Sequence, residues 1–236
     1  NKGIAEAYES NDSIYKVEDG NFVLFFEASD ELIEGIEAVE GAENELFENF
    51  YYQGATDEID SELRVFANRE GINEACVHEG SLPSENNEIA IDRMYAKNNG
   101  LSVGDTITVD DIEFEITGLI SLPDYAALYE NSSDMMFDAT KFGVSVVTAE
   151  GFDHFSSDNL HYSYSWSYLE NPDSTKQEND MAEDILAYLS ENTQIQNFIP
   201  AYSNQAIIFP GEDITRDNLY MNVFITLILI VIAFVF

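Results

Sequence analysis

The sequence predicts an α+β fold: a discontinuous strand-helix subdomain (1–80 and 143–211), an inserted β-rich subdomain (81–142), then a linker and the start of a transmembrane helix (212–236). Three observations lead there. Strand-like and helix-like patterns alternate in both flanking segments, whereas the middle offers only short, closely spaced strand patterns. The end of the chain, from Leu219 to Phe236, is apolar almost without interruption.

In chain order, Ile4, Ala5 and Tyr8 have helical spacing, as at the tail of a helix leaving a membrane. Phe22 to Phe26 reads as a strand, and Ser29 offers an N-cap to a helix bearing Leu32, Ile33, Ile36 and Val39. Leu46 to Gln53, Glu62 to Asn68 and Ile72 to His78 read as strands. The polar stretch Gly80 to Asn87, with Pro83, marks the first boundary. A short strand at Ile89 to Ile91 precedes a helical turn from Met94 to Lys97 that stops at Gly100. Ile107 and Val109, then Ile112, Phe114 and Ile116, alternate on two strands, and Asp110-Asp111 forms the hairpin turn without its usual glycine. Pro123 to Asp138 is irregular, and Val144 to Thr148 is a strand.

Leu160 to Tyr168 then alternates strictly, with Tyr162, Tyr164, Trp166 and Tyr168 on one face and His161, Ser163, Ser165 and Ser167 on the other. The aromatic face is either the buried side of a sheet or a ligand face for sugar or peptide. An amphipathic helix over Ser174 to Asn192 carries Met181, Ile185 and Leu189, and a strand follows from Ile195 to Ala201.

As a helix, the apolar run from Leu219 spans about 27 Å, near the ~30 Å of a bilayer core. The acidic residues Glu212, Asp213 and Asp217 precede it with only Arg216 among them, which predicts an exterior location for what comes before. The chain begins at Asn1 and is read as a piece of a longer protein.

Against 46 Asp and Glu stand 9 Lys and Arg, a net charge of −37 that repels nucleic acid and anionic lipid surfaces. One cysteine, Cys76, allows no intramolecular disulfide. His78-Glu79 begins like a zinc-protease helix, but Leu82 stands where the second histidine is required, so neither metal nor cofactor is expected. No nucleophile elbow, dinucleotide motif or phosphate loop occurs, and the chain is expected not to be an enzyme.

The segment Asn87-Glu88-Ile89-Ala90-Ile91-Asp92, followed by Gly100-Leu101-Ser102-Val103-Gly104-Asp105-Thr106-Ile107 and closed by Ile116-Thr117-Gly118, resembles the exterior domains of FtsX-like and MacB-like permeases of ABC transporters. The likeness continues through Leu122-Pro123-Asp124-Tyr125, Asp134 to Asp138 and Asn204 to Ile207. It implies a porter-like strand-helix part with a β-rich insertion, on the extracellular face of a bacterial cell membrane. It also implies a separate cytoplasmic ATPase, a second permease half or protomer, and a lipid, peptide or cell-wall-associated partner. Its motif residues Glu88, Ile89, Ala90, Asp92, Gly100, Val103, Gly104, Asp105 and Gly118 are structural ones. Motion would pass through Ser203 to Asp217 into the membrane helix. The competing reading is a membrane-anchored surface module that binds a ligand on its aromatic face.

Overall fold

A computed structural model describes residues 16–57, 59–131, 134–156 and 159–208. The expected N-terminal and transmembrane helices lie outside them, and no helix among the described residues is long and apolar enough to cross a membrane. The fold is mixed α+β. The chain opens with β1 (Gly20–Leu24), α1 (Asp30–Glu37) and β2 (Asn44–Glu48). Next come β3 (Tyr51–Thr56), β4 (Ser61–Ala67), β5 (Cys76–Gly80), β6 (Glu88–Asp92), α2 (Arg93–Asn99), β7 (Thr106–Val109), β8 (Ile112–Ser121), β9 (Phe142–Val147) and α3 (Ala149–Phe152). The last elements are β10 (Leu160–Tyr168), α4 (Thr175–Asn192) and β11 (Ile195–Pro200).

All eleven strands join one sheet, ordered β11-β1-β10-β3-β4-β9-β6-β8-β5, with β2 also on β10 and β7 on β3 and β8. Strands β11, β1, β10 and β2 pair antiparallel in that order, and with α1 and α4 they make the βαββαβ arrangement of ferredoxin-like folds. Strand β10 is the seam. Its residues from Tyr164 onward pair with β2, whereas Leu160 and His161 pair with Tyr52 and Tyr51 of β3.

Of three hydrophobic clusters among the described residues, two follow from this pairing, and a small third joins Ala127, Tyr129 and Ala206. The smaller of the two joins Phe22, Tyr164, Trp166 and Tyr168 to Ile36 of α1 and to Met181, Ile185 and Leu189 of α4. Ser29 caps α1 by accepting the Leu32 N–H, and Ser174 caps α4 by accepting that of Gln177. Such caps are worth about 1 kcal/mol each. The larger cluster is mostly aliphatic and gathers Leu63, Val65, Ile89, Ile91, Ile107, Ile116, Val144 and Val146 around Tyr95. It crosses the boundaries expected at 80/81 and 142/143, because β4 and β9 form a parallel pair. Parallel strands are buried on both faces, and every residue of β9 is buried.

Two expected strands differ. Leu46 to Gln53 divides into β2 and β3 as the chain bends at Asn49-Phe50: the Asn49 amide donates to Ser163 O at 2.9 Å, and the Phe50 ring packs edge-on to Tyr162 and Tyr164. Strand β5 starts at Cys76, not Ile72, because Asn73 is left-handed at φ 48°, a conformation asparagine tolerates. Its buried carboxamide is tied to Glu18.

Candidate functional site: a polar groove along the seam

The aromatic face of β10 is turned into the smaller core: Trp166 is 0% exposed, Tyr164 1% and Tyr168 6%, while Tyr162 is partly buried against the same cluster. Stacking of Phe22 on Tyr164 and Trp166, and of Phe198 on Trp166, fills it. As a ligand face it is therefore corrected to a core face. The serine face is buried too, with Ser165 1% and Ser163 7% exposed, but against polar neighbours.

The motif residues form one continuous unit. Ile89 and Ala90 of β6 are fully buried, and Asp92 caps α2 by accepting the Met94 and Tyr95 N–H groups. Glu88 accepts from the amides of Ser84 and Glu85, which hold its carboxyl below the usual carboxylate range. Gly100 ends α2 at φ 71°, and Gly104 turns the chain at φ 93°, a conformation that costs a side chain but not glycine. Asp105 accepts the Ser102 N–H at 2.8 Å. Val103 is exposed at 37%. Gly118 lies so close to β5 that a Cβ there would stand 2.3 Å from Ser81 O. None of these residues is among those that line the groove described next.

Convergence occurs elsewhere, where the two clusters meet. On that face of the sheet Gln53 of β3 stands opposite Arg64 of β4, and Tyr51 opposite Phe66. The Arg64 guanidinium, with the residue 8% exposed, donates to Tyr125 Oη at 2.7 Å, Gln53 Oε1 at 2.7 Å and Glu130 O at 3.1 Å. It packs 4.4 Å from the Tyr51 ring centre and 5.1 Å from that of Phe142. Its Nε is buried with no hydrogen-bond partner. Arg69 makes a two-pronged ion pair with Asp124 at 2.7 and 3.0 Å, and both residues are buried.

Beside them Glu18 is buried and accepts from Asn21, Asn73 and Ser165, and Asn49 donates to Ser165. Burial foremost, then the charge of Asp124, raises the Glu18 pKa above the ordinary carboxylate value, against the pull of those hydrogen bonds. Burial pushes the Tyr125 phenol up to about 12, so it meets Arg64 as a neutral hydroxyl.

Around this centre runs a groove. Its inner part, about 100 Å³, reaches Glu18, Arg69 and Ser165. The outer part, about 620 Å³, reaches Asp110, Asn159 and His161. Tyr51, Arg64, Asn131 and Asn197 line both. One wall, from Leu122 to Asn131, is fixed by the two arginines and carries the end of the described chain, because the Ala127 N–H donates to Ala206 O at 3.2 Å.

No family model matches the chain, and no curated protein matches it. Several solved structures are similar, two exterior domains among them. The extracellular domain of the noncanonic ABC-type transporter YknZ from Gram-positive bacteria is 15% identical, with a TM-score of 0.40 over 75% of this chain and all of that one. The periplasmic region of MacB from Actinobacillus actinomycetemcomitans is 12% identical, with a TM-score of 0.41 over 77% of this chain and 87% of that one. Both are exterior domains, the kind the sequence resembles.

Proposed function

We propose that this chain is the exterior domain of an ABC transporter permease subunit, non-enzymatic itself and working with a separate cytoplasmic ATPase. The observation that carries it is the motif unit from Glu88 to Gly118. The residues that resemble the permease family stand in its order and occupy a single strand-helix-hairpin element of consecutive β6, α2, β7 and β8. The anchored-module alternative rested on the aromatic face, which is core.

In this reading the βαββαβ half is the membrane-proximal part, the strands from β3 to β9 are the insertion, and the apolar run from Leu219 is the membrane helix. Residues from Ser203 onward join the two. Their link to the Leu122 to Asn131 wall, through Ala127 and Ala206, supplies a path by which movement of the membrane helix reaches the groove. Substrate export and force transmission to an exterior partner are both served by such a path.

The test is purification of the full-length gene product from native membranes in mild detergent. Stoichiometric recovery of a nucleotide-binding ATPase is the expected result. Recovery of the protein alone, with no further membrane spans encoded after Phe236, would overturn the reading.

A further inference from the structure

We infer that the outer groove is a binding site for a neutral saccharide, with Asn131, Asn159, Gln196 and Asn197 at its rim, His161 as its stacking surface and Arg64 and Gln53 in its floor. The inference is independent of the transporter reading.

The volume, about 620 Å³, falls in the range of about 300–1,000 Å³ typical of small-molecule sites. Its chemistry selects among ligands. The four rim carboxamides are exposed, and each offers donors and acceptors without net charge, as sugar hydroxyls require. Glu62 and Asp110 add acceptor-only carboxylates to the lining, suited to receiving O–H donors and repelling an anionic ligand. Among the described residues Ala55 is the only aliphatic one lining this part, so an extended peptide finds no apolar pockets for its side chains there.

The stacking surface is built by the sheet. The Tyr51 ring holds Arg64 at 4.4 Å and the parallel His161 imidazole at 4.5 Å. The imidazole is thus held on Tyr51 and is itself among the residues that line the outer groove. Burial and then the Arg64 charge lower the His161 pKa, so the ring is a neutral plane at pH 7. Arg64 is more than nine-tenths buried; its planar fork orients Gln53, and Gln53 in turn donates to Glu62 at 2.6 Å and Glu130 at 3.0 Å. The floor is thus set before any ligand arrives, which limits the ordering cost of binding.

The experiment titrates the full chain, in a sugar-free detergent, with neutral tetrasaccharides of β-1,4-glucose, β-1,4-N-acetylglucosamine, α-1,4-glucose and α-1,6-mannose, read by calorimetry. At least one is expected to bind with Kd ~1 mM or tighter. The exposed double variant Asn131→Ala/Gln196→Ala should weaken it about tenfold or more, by loss of hydrogen bonds to a bound ligand. His161→Ala should do likewise and Lys97→Ala should leave it unchanged, all with the melting temperature of the parent for the exposed variants. No binding by any of the four at ~10 mM, binding that the Asn131/Gln196 variant leaves intact, or displacement of the sugar only by a charged peptide would overturn the inference. Each of these failures leaves the ATPase co-purification untouched.

Discussion

The two halves of this sheet are stabilised by different means. The smaller half closes four strands under two helices with stacked rings, Phe22, Tyr164, Trp166 and Phe198. The larger half is a strand-rich aliphatic core in which α2 contributes Tyr95 and Ala96. Aromatic pairs add about 0.5–1.5 kcal/mol each beyond their buried area, so a few residues carry much of the smaller core. The aliphatic core spreads its stabilisation over many contacts. Between them lies a layer that is neither, where Arg64, Arg69, Asp124, Glu18 and Ser165 are buried together. In this layer the Arg69–Asp124 ion pair is buried, so breaking it leaves a buried charge.

The largest effect tests that layer. Arg69→Ala strands the buried Asp124 carboxylate and should cost about 3–5 kcal/mol, whereas Arg69→Met/Asp124→Leu should recover most of it, as measured by urea denaturation. Next, Ile116→Ala in the larger core should cost about 2–5 kcal/mol. Trp166 is the sole tryptophan and reports on the smaller half. If the seam makes the halves one cooperative unit, its fluorescence and the far-ultraviolet dichroism will shift together in that variant; separate transitions would show that the halves unfold independently. A smaller loss, about 1 kcal/mol, is expected for Asp92→Ala at the cap of α2, visible as a lowered urea midpoint without a change of slope.

The last effect is a pH slope. Because the folded pKa of Glu18 is raised above its ordinary 4.5, the folded state holds its proton more tightly than the unfolded state. Its contribution is full below pH 4.5 and is lost as pH rises through the folded value. Glu18→Gln should flatten that decline, and an unchanged slope of stability against pH above 4.5 would refute the assignment.

Much of the fold was legible because local chemistry and tertiary context agree. The alternation from Leu160 to Tyr168, the Ser29 cap and the stop at Gly100 are short-range signals. The hairpin turn at Asp110-Asp111 was also legible without glycine: both residues are left-handed, at φ 45° and 69°, and Asp110 accepts from Ala55 N–H and Tyr52 Oη. The bend at Asn49 and the left-handed Asn73 were not, since each is fixed by a partner more than fifty residues away. The groove was hidden for the same reason. Arg64 sits in an otherwise apolar stretch, Leu63 to Ala67, with Arg69 two residues beyond it, which is a signal of buried cations, but the rings and amides around them come from many separate strands and loops.

The pairing of β1 and β2 bears on how the protein is made. Among the described residues, strand β1 finds its partners only in β10 and β11, and β2 only in β10. A ribosome delivers β1 and β2 more than a hundred residues before those partners (Leu24 to Leu160), while everything between β3 and β9 can close on itself in the meantime. Two unpaired strands therefore wait until β10 is made, an interval in which such edges invite wrong pairing. The most delicate moment in the life of this chain comes when β10 emerges and must choose its register against neighbours on both sides.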